Sequence, residues 1–268
     1  MSTERIVHIK EEISKLGIEI TDEQAEQFVT YYEMLVETNK VMNLTAITEF
    51  EDVLCKHFVD SLSIVRKMNL KNIHNMVDIG TGAGFPGLAL KIARPDLNVT
   101  LLDSTEKKLK VVRDIAEKLG FTTDEQCPAD EFGIPYYDMD KEAVHIIHAR
   151  AEEAGQQKEF RERFDYVTSR AVANLQVLSE LCIPFVKVKG HFISMKGPEG
   201  QAEMVAALGA IRTLGGRPQE LMEYELVSAF DEEADETARR SIVLIKKKKK
   251  TPHAFPRRGD RIKKVPLV

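Results

Sequence analysis

Residues 76–87, MVDIGTGAGFPG, constrain this chain more than any other stretch. An apolar run through Met76, Val77 and Ile79, interrupted by Asp78, breaks into Gly80, Gly82, Gly84 and Gly87 and resumes as LALKIA. That order reads as strand, tight loop, helix. Glycines suit such a loop because they tolerate positive φ and have no Cβ to hold a ligand off the backbone. The loop delivers free amides at a helix start, where polar or anionic ligand groups are favoured. A chain built on this unit is expected to be an α/β protein with its ligand at the loop.

Two readings of the glycines compete. Gly82-x-Gly84-x-x-Gly87 matches the pattern of dinucleotide-binding folds. The longer frame, Asp78-x-Gly80-x-Gly82-x-Gly84, resembles motif I of S-adenosylmethionine-dependent methyltransferases. Asp78 favours the second, because a carboxylate just before the loop repels a pyrophosphate, whereas S-adenosylmethionine carries an ammonium and a sulfonium. Asp103 closes the next apolar run, VTLLD, 19 residues beyond Gly84. An acid there is placed to accept hydrogen bonds from ribose hydroxyls, which supports a nucleoside cofactor without choosing between the two.

The length of 268 residues suits one large domain or one domain with an appendage, and 43% hydrophobic content supplies a sizeable core. No apolar run approaches the ~18 residues of a membrane span. The start, MSTERIVHIKEE, is charged and lacks an apolar signal segment, so a cytoplasmic protein is expected. Cys55, Cys127 and Cys182 form no C-x-x-C motif and read as reduced thiols; no metal site is expected. Net charge is −5, yet residues 246–264 hold ten Lys and Arg against Asp260 alone. A basic end on an acidic body points to an anionic partner, nucleic acid first, the alternative being a solvated, disordered tail.

Residues 3–68 read as helices. In DEQAEQFVTYYEMLVETNK, Ala25, Phe28, Val29, Tyr32, Leu35 and Val36 recur at helical spacing, with Thr21 or Asp22 as cap. A further helical pattern, EDVLCKHFVDSLSIVRKM, carries His57 and Asp60 three apart on one face. From residue 75 strands and helices alternate: NMVDIG, NVTLLD, AVHIIHA, FDYVTSRA and GHFISMKG as strands one to five, then LMEYEL and RRSIVLIKK. STEKKLKVVRDIAEKLG is a helix expected to be capped by Ser104 or Thr105. LQVLSELCIPFVK is a helix that Pro184 kinks or ends, and EGQAEMVAALGAIRTLGG is one helix. The expected fold is a Rossmann-like class I methyltransferase fold. It has a seven-stranded, mostly parallel sheet, helices on both faces and a closing hairpin. Its parts are an N-terminal helical cap over 1–70, a core domain over 71–250 and a basic tail over 251–268. Residues 121–142, rich in acids, break the rhythm and read as a surface insertion.

Ligands in such sheets gather at the carboxyl ends of the strands. That places the glycine loop, Asp103-Ser104, Arg150-Ala151-Glu152-Glu153, Ser169-Arg170 and Lys196-Gly197 around one crevice. Arg170 and Lys196 suit substrate phosphates or the cofactor's carboxylate. The chain lacks an N-P-P-Y/F element and a Pro-Cys nucleophile. An acceptor needing neither a covalent nucleophile nor a base, such as guanine N7, is consistent with this. Catalysis would then rest on proximity and orientation. An NAD(P) oxidoreductase and a non-catalytic RNA-binding protein remain the alternatives.

The elements NKVMNLTAI, HFVDSL, VDIGTGAGFPGLALKIARP, LLDSTEKKLKVV, ARAEE, DYVTSRAVANL, MKG and TPHAFPRRGD together resemble a known family. It is that of the bacterial 16S ribosomal RNA guanine-N7 methyltransferases, also called glucose-inhibited division protein B (GidB, or RsmG). The resemblance implies S-adenosylmethionine-dependent methyl transfer to a guanine in the decoding-region loop of 16S rRNA. The partner would be 16S rRNA or the small ribosomal subunit, and the protein a monomer. Carried over by position, Asp78, Gly80, Gly82, Gly84, Phe85, Ala151, Glu152 and Arg170 are expected at the cofactor. Asp103, Ser104 and Thr105 are expected at the ribose end. His57, Arg170 and Lys196 are the expected catalytic group. Asn39, Asn43, His57 and Asp60 line the cap. Asn39, Asn43, Lys196, Arg257 and Arg258 are the RNA-binding candidates. The insertion and the five-lysine run depart from the family pattern.

Overall fold

A computed structural model describes residues 2–67, 75–123, 143–170, 172–226 and 238–268. Seven strands form one sheet in the order β3-β2-β1-β4-β5-β7-β6. They are β1 (Asn75–Ile79), β2 (Asn98–Asp103), β3 (Val144–His148), β4 (Phe164–Arg170), β5 (Val186–Lys196), β6 (Gly216–Glu225) and β7 (Arg239–Lys247). The first five pair in parallel, and β7 inserts antiparallel between β5 and β6. The order reverses direction at β1 and β4, the switch point where such sheets open a crevice.

Side-chain alternation along β1 divides the interior in two. Met76 joins a core with α1 (Ser2–Ser14), α2 (Asp22–Asn39), Val99 and Leu101, whereas Val77 and Ile79 join the opposite core with Val167, Leu178 and Ile211. The N-terminal helices therefore share the core of the sheet rather than forming a separate one. Helix α2 starts on a capping box: the Gln24 amide donates to Thr21 Oγ1, and the Thr21 amide to Gln24 Oε1. It is tied to the sheet layer by Gln24 and Gln27, whose side-chain amides donate to the Ile92 and Leu119 carbonyls. The third helical stretch runs through α3 (Phe50–Val53), one π turn (Leu54–Val59), α4 (Asp60–Leu62) and a 3₁₀ turn (Ser63–Lys67).

At four places the structure corrects or refines the expected detail. Helix α6 (Glu106–Lys118), which follows α5 (Gly87–Ala93), has no Ser104 or Thr105 side-chain cap; Asp103 Oδ1 accepts the Thr105 amide at 2.8 Å instead. After α7 (Ala151–Ala154), α8 (Leu175–Cys182) ends before Pro184 as expected, but the stretch does not stay helical to Lys187, because Val186 already begins β5. The expected single helix after β5 is two, α9 (Gly200–Ala206) and α10 (Leu208–Thr213). The C-terminal end is not a solvated, disordered tail, because it folds back and ends in α11 (Gly259–Lys264). All but the first three residues of the 121–142 insertion, Cys127 included, lie outside the described residues. Cys55 and Cys182 are buried and outside any disulfide among the described residues, and no helix among those residues is long and apolar enough to cross a membrane.

The tail is held by buried charge. Glu180 on α8 is fully buried and receives the Arg257 guanidinium at 2.6 Å and the Arg257 amide at 2.8 Å. Arg161 donates to the Gly155, Thr251, Pro252 and Phe255 carbonyls. Lys247 is buried with its ammonium on the Ile183 carbonyl at 2.8 Å and Glu162 at 3.3 Å, and burial lowers its pKa to about 8.

Candidate active site

At the carboxyl ends of β1, β2, β3 and β4 lies a cleft of about 720 Å³. Its floor is the glycine loop. Gly80, Gly82 and Gly84 have φ of 75°, 60° and 102°, so the loop needs the left-handed backbone region. Gly84 is closed from above: a Cβ there would lie 2.5 Å from Tyr31 Oη. Tyr31 itself donates to the Ala83 carbonyl at 2.7 Å and stacks on Phe85 with ring centroids 5.0 Å apart. The cap thus clamps the loop through a residue the helical-pattern reading passed over in favour of Tyr32. The spacing of Phe28, Tyr31 and Leu35 (i, i+3, i+7) carried the signal.

Asp78 does not line the cleft. It points to the cap side of the sheet, fully buried, and Oδ2 accepts Thr81 Oγ1 at 2.8 Å and the Gly87 amide at 3.0 Å. Burial raises its pKa to about 6, against the lowering by those hydrogen bonds. Its partners show what it does here: it folds the loop around itself. Asp103 lines the cleft. Oδ2 accepts the Gly82 amide at 3.0 Å and Oδ1 the Thr105 amide at 2.8 Å, leaving one acceptor position on each oxygen for a diol.

Arg170, at the end of β4, is gripped by the π turn and α4. Its Nη1 donates to Asp60 Oδ2 at 2.9 Å and the Lys56 carbonyl at 3.2 Å. Its Nη2 faces His57 Nδ1 at 3.4 Å, and its guanidinium lies 5.2 Å from the Phe85 centroid. A π turn adds one residue per turn, and here it turns both His57 and Asp60 onto Arg170. Nδ1 also lies 3.2 Å from the Lys56 carbonyl, to which only an Nδ1–H can donate, so Nε2 is the acceptor of the Thr45 hydroxyl at 2.8 Å. Burial and the neighbouring Arg170 lower the His57 pKa to about 4, so the ring is neutral at pH 7. Its ring stacks on Phe85 at 4.7 Å. Asp60 Oδ1 also accepts Tyr224 Oη at 2.9 Å, which ties the cap to β6.

A second cavity, about 550 Å³, adjoins the first and shares His57, Arg170 and Val172 with it. It also carries Asp60, Lys196, Glu203 and Arg240. Its cations are matched by carboxylates: Arg170 with Asp60, Lys196 with Glu203 at 2.9 Å, Lys56 with Asp52 at 2.7 Å, and Arg240 with Asp60 at 4.0 Å. The site therefore pairs a nucleoside-sized cleft with a chamber whose four cations share three carboxylates, joined at one arginine.

The structure brings most of the sequence candidates together. Gly80, Gly82, Phe85, Asp103, Ser104, Ala151, Glu152, His57 and Arg170 line the first cleft. Gly84 lies under Tyr31, and Thr105 stands just before α6, outside the lining and without a side-chain cap bond. Lys196 lines only the second cavity, with its ammonium also on the Ala173 carbonyl. Asn39 Oδ1 accepts the Leu44 and Thr45 amides at 2.7 and 3.0 Å, which presents Thr45 to the cleft; Asn43 is exposed. Arg257 is committed to Glu180, and Arg258 is exposed at the start of α11. Missed by the sequence reading were Thr45 and the α11 wall, Gly259, Asp260, Ile262 and Lys263. A Cβ on Gly259 would lie 2.0 Å from Glu152 Oε1, so the tail closes directly on the cleft's carboxylate.

Comparison with known proteins agrees with this geometry. Residues 24–128 and 137–228 match the model of the GidB family, described as rRNA small subunit methyltransferase G. The chain is 40% identical over 259 residues to ribosomal RNA small subunit methyltransferase G of Alkaliphilus metalliredigens, covering 97% of each. It is 42% identical over 259 residues to the protein of that name from Alkaliphilus oremlandii, again covering 97% of each. Among solved structures, the O-methyltransferase from Bacillus cereus, crystallised in complex with SAH, aligns at a TM-score of 0.50 and 16% identity, covering 81% of this chain and 91% of that one. That likeness shows a shared fold. The family match and the curated relatives together show that the chain belongs to the rRNA small subunit methyltransferase G (GidB) family.

Proposed function

We propose that this protein transfers a methyl group from S-adenosylmethionine to N7 of a guanine in the decoding-region loop of 16S ribosomal RNA, in the cytoplasm. S-adenosylmethionine supplies an electrophilic methyl group on a sulfonium. The cleft suits it: its volume fits a nucleoside cofactor, and Asp103 keeps free acceptor positions beside the glycine loop. Gly80, Gly82, Phe85, Ala151 and Glu152 are the further residues that would hold it. Asp78 contributes through the loop it shapes.

The second cavity is the acceptor side in this reading. The observation that carries it is the junction: both cavities meet at Arg170, His57 and Val172, so a base in one faces a cofactor in the other. Guanine N7 presents a lone pair and no proton, so the chain needs to orient rather than deprotonate it. The purine gains positive charge as it is methylated. Asp60 and Glu203 offset part of the positive charge around that cavity, and neutral His57 adds none. Arg170 is the positioning group between the two ligands, and Phe85 beneath it keeps water from that side.

Calorimetry with S-adenosylmethionine and with NAD tests the cofactor half. The proposal expects S-adenosylmethionine to bind and Asp103→Ala to weaken it at least tenfold, as the loss of a buried charge-assisted hydrogen bond would. Binding of NAD without S-adenosylmethionine would reject it.

A further inference from the structure

The lysine run of 246–250 is not used by either cavity, and the fold carries it to the opposite pole of the molecule. Strand β7 leaves the cleft end at Arg239 and reaches the far end at Lys247, roughly 27 Å away at about 3.3 Å per residue. Just beyond, the Lys248 and Lys249 amides donate to the Gly215 carbonyl at 2.8 and 3.0 Å. The run is therefore pinned to the start of β6 and does not wander as a free tail. Gly215 permits this because its φ of 86° needs the left-handed region, and a Cβ there would lie 2.3 Å from the Lys249 carbonyl oxygen.

The pinning opens a groove of about 480 Å³ lined by Leu208, Arg212, Gly215, Gly216, Arg217, Pro218, Lys248 and Lys249. Four of its eight lining residues are cations and none is an acid. Among the described residues none of these four cations forms an ion pair. This contrasts with the acceptor cavity, where each cation faces a carboxylate. A concave, rigid-floored site holding four uncompensated charges is an electrostatic receptor for a polyanion. With Leu208 as its one large apolar residue, it lacks the hydrophobic anchors that would insert into a lipid surface.

We propose that this groove binds the phosphate backbone of the substrate RNA at a stretch distant from the methylated base, so that the enzyme holds its substrate at two poles. The proposal rests on the methyltransferase reading for the identity of the polyanion. Phosphate contacts of this kind fix register and carry no sequence information. It follows that the groove serves long, structured RNA and is idle on a short fragment that fills only the cleft.

The test combines Arg212→Gln, Arg217→Gln, Lys248→Gln and Lys249→Gln in the full chain and measures RNA binding by filter retention at several salt concentrations. For full-length 16S RNA the variant should bind roughly tenfold or more weakly near physiological salt. The slope of log affinity against log salt should flatten by about 0.7–0.9 per lost phosphate contact. For a short hairpin carrying the target loop, affinity should not change. S-adenosylmethionine binding should also be unchanged, which shows that the variant is folded. A charge-preserving variant, Lys248→Arg with Lys249→Arg, should bind like the parent. Unchanged binding of full-length RNA, or equal weakening for the hairpin, overturns the proposal. Equal loss of binding to anionic phosphatidylserine vesicles would assign the groove to membranes and overturn it as well. Wild-type protein that binds 16S RNA in the groove yet never methylates it would refute the methyltransferase reading and leave the groove intact.

Discussion

Replacing Arg257 by alanine separates an architectural role for the tail arginine from the RNA-binding role its charge suggests. Arg257 Nη2 and Nε sit 2.6 and 2.8 Å from Glu180, and Nη2 also donates to the Val265 carbonyl at 3.0 Å. Glu180 is fully buried, and the Arg257 side chain is only 14% exposed. Truncation leaves the carboxylate in the interior with one backbone amide as its remaining partner. Removing one member of a buried pair costs about 3–5 kcal/mol, most of it from the stranded charge. Urea unfolding at pH 7 should therefore show Arg257→Ala less stable by about 3 kcal/mol or more, and Arg258→Ala, on an exposed side chain, within about 0.5 kcal/mol of the parent. Replacing both partners together, Glu180→Leu with Arg257→Leu, should recover much of the loss, because no charge is then left unpaired. A loss below about 1 kcal/mol in Arg257→Ala, with weakened RNA binding instead, would refute the reasoning and return Arg257 to the RNA surface.

Three further outcomes are expected. Gly84→Ala places a Cβ against Tyr31 Oη at a φ of 102°, so it should destabilise the fold by about 2 kcal/mol or more; a neutral result in thermal unfolding would show the clamp to be loose. In a double-mutant cycle, Asp60→Ala and Arg170→Ala should couple by about 1–3 kcal/mol, and simple additivity would deny their pairing. His57, with its folded pKa lowered to about 4 from 6.5, takes up its proton more readily when unfolded. Between pH 6.5 and 4 it should therefore cost stability as pH falls. Asp78, raised to about 6 from 3.8, acts in the opposite direction between pH 6 and 3.8, where the folded state holds the extra proton. Asp78→Asn should therefore make acid destabilisation steeper than in the parent; an unchanged slope across that window would contradict the Asp78 assignment.

The alternation of strand and helix was written plainly in the chain, because β1 and β2 are short apolar runs closed by the glycine turn and by Asp103, with helical patterns after each. The closing hairpin was legible as two successive strand patterns, but that its second strand, β7, lies beside β5 was not. What local pattern could not give was direction. Asp78 looked like a ligand group because it precedes the glycines, yet strand alternation turns it to the cap side and the loop closes over it. The cleft residues that were found, Asp103, Glu152 and Arg170, stand at strand ends where topology alone dictates the site. Thr45, part of NKVMNLTAI, was given no place at the site, because its position depends on Asn39 folding the intervening loop. The fate of the basic tail was hidden for a related reason. Its partners Glu180, Arg161 and Glu162 lie some 77 to 94 residues earlier, and no window of sequence joins them. A run of like charge therefore divided into a buried lysine, a pinned groove and a cleft wall.

The central claim is that the cleft at the glycine loop delivers a methyl group to guanine N7 through the chamber at Arg170. It is tested most directly by supplying 16S RNA from cells lacking this enzyme with methyl-labelled S-adenosylmethionine, and mapping the label by reduction and aniline cleavage, which cuts at N7-methylguanine. The account predicts a single cut in the decoding-region loop, lost in Asp103→Ala and in Arg170→Ala. Label on an exocyclic amine or a ribose, or full labelling by either variant, would contradict it.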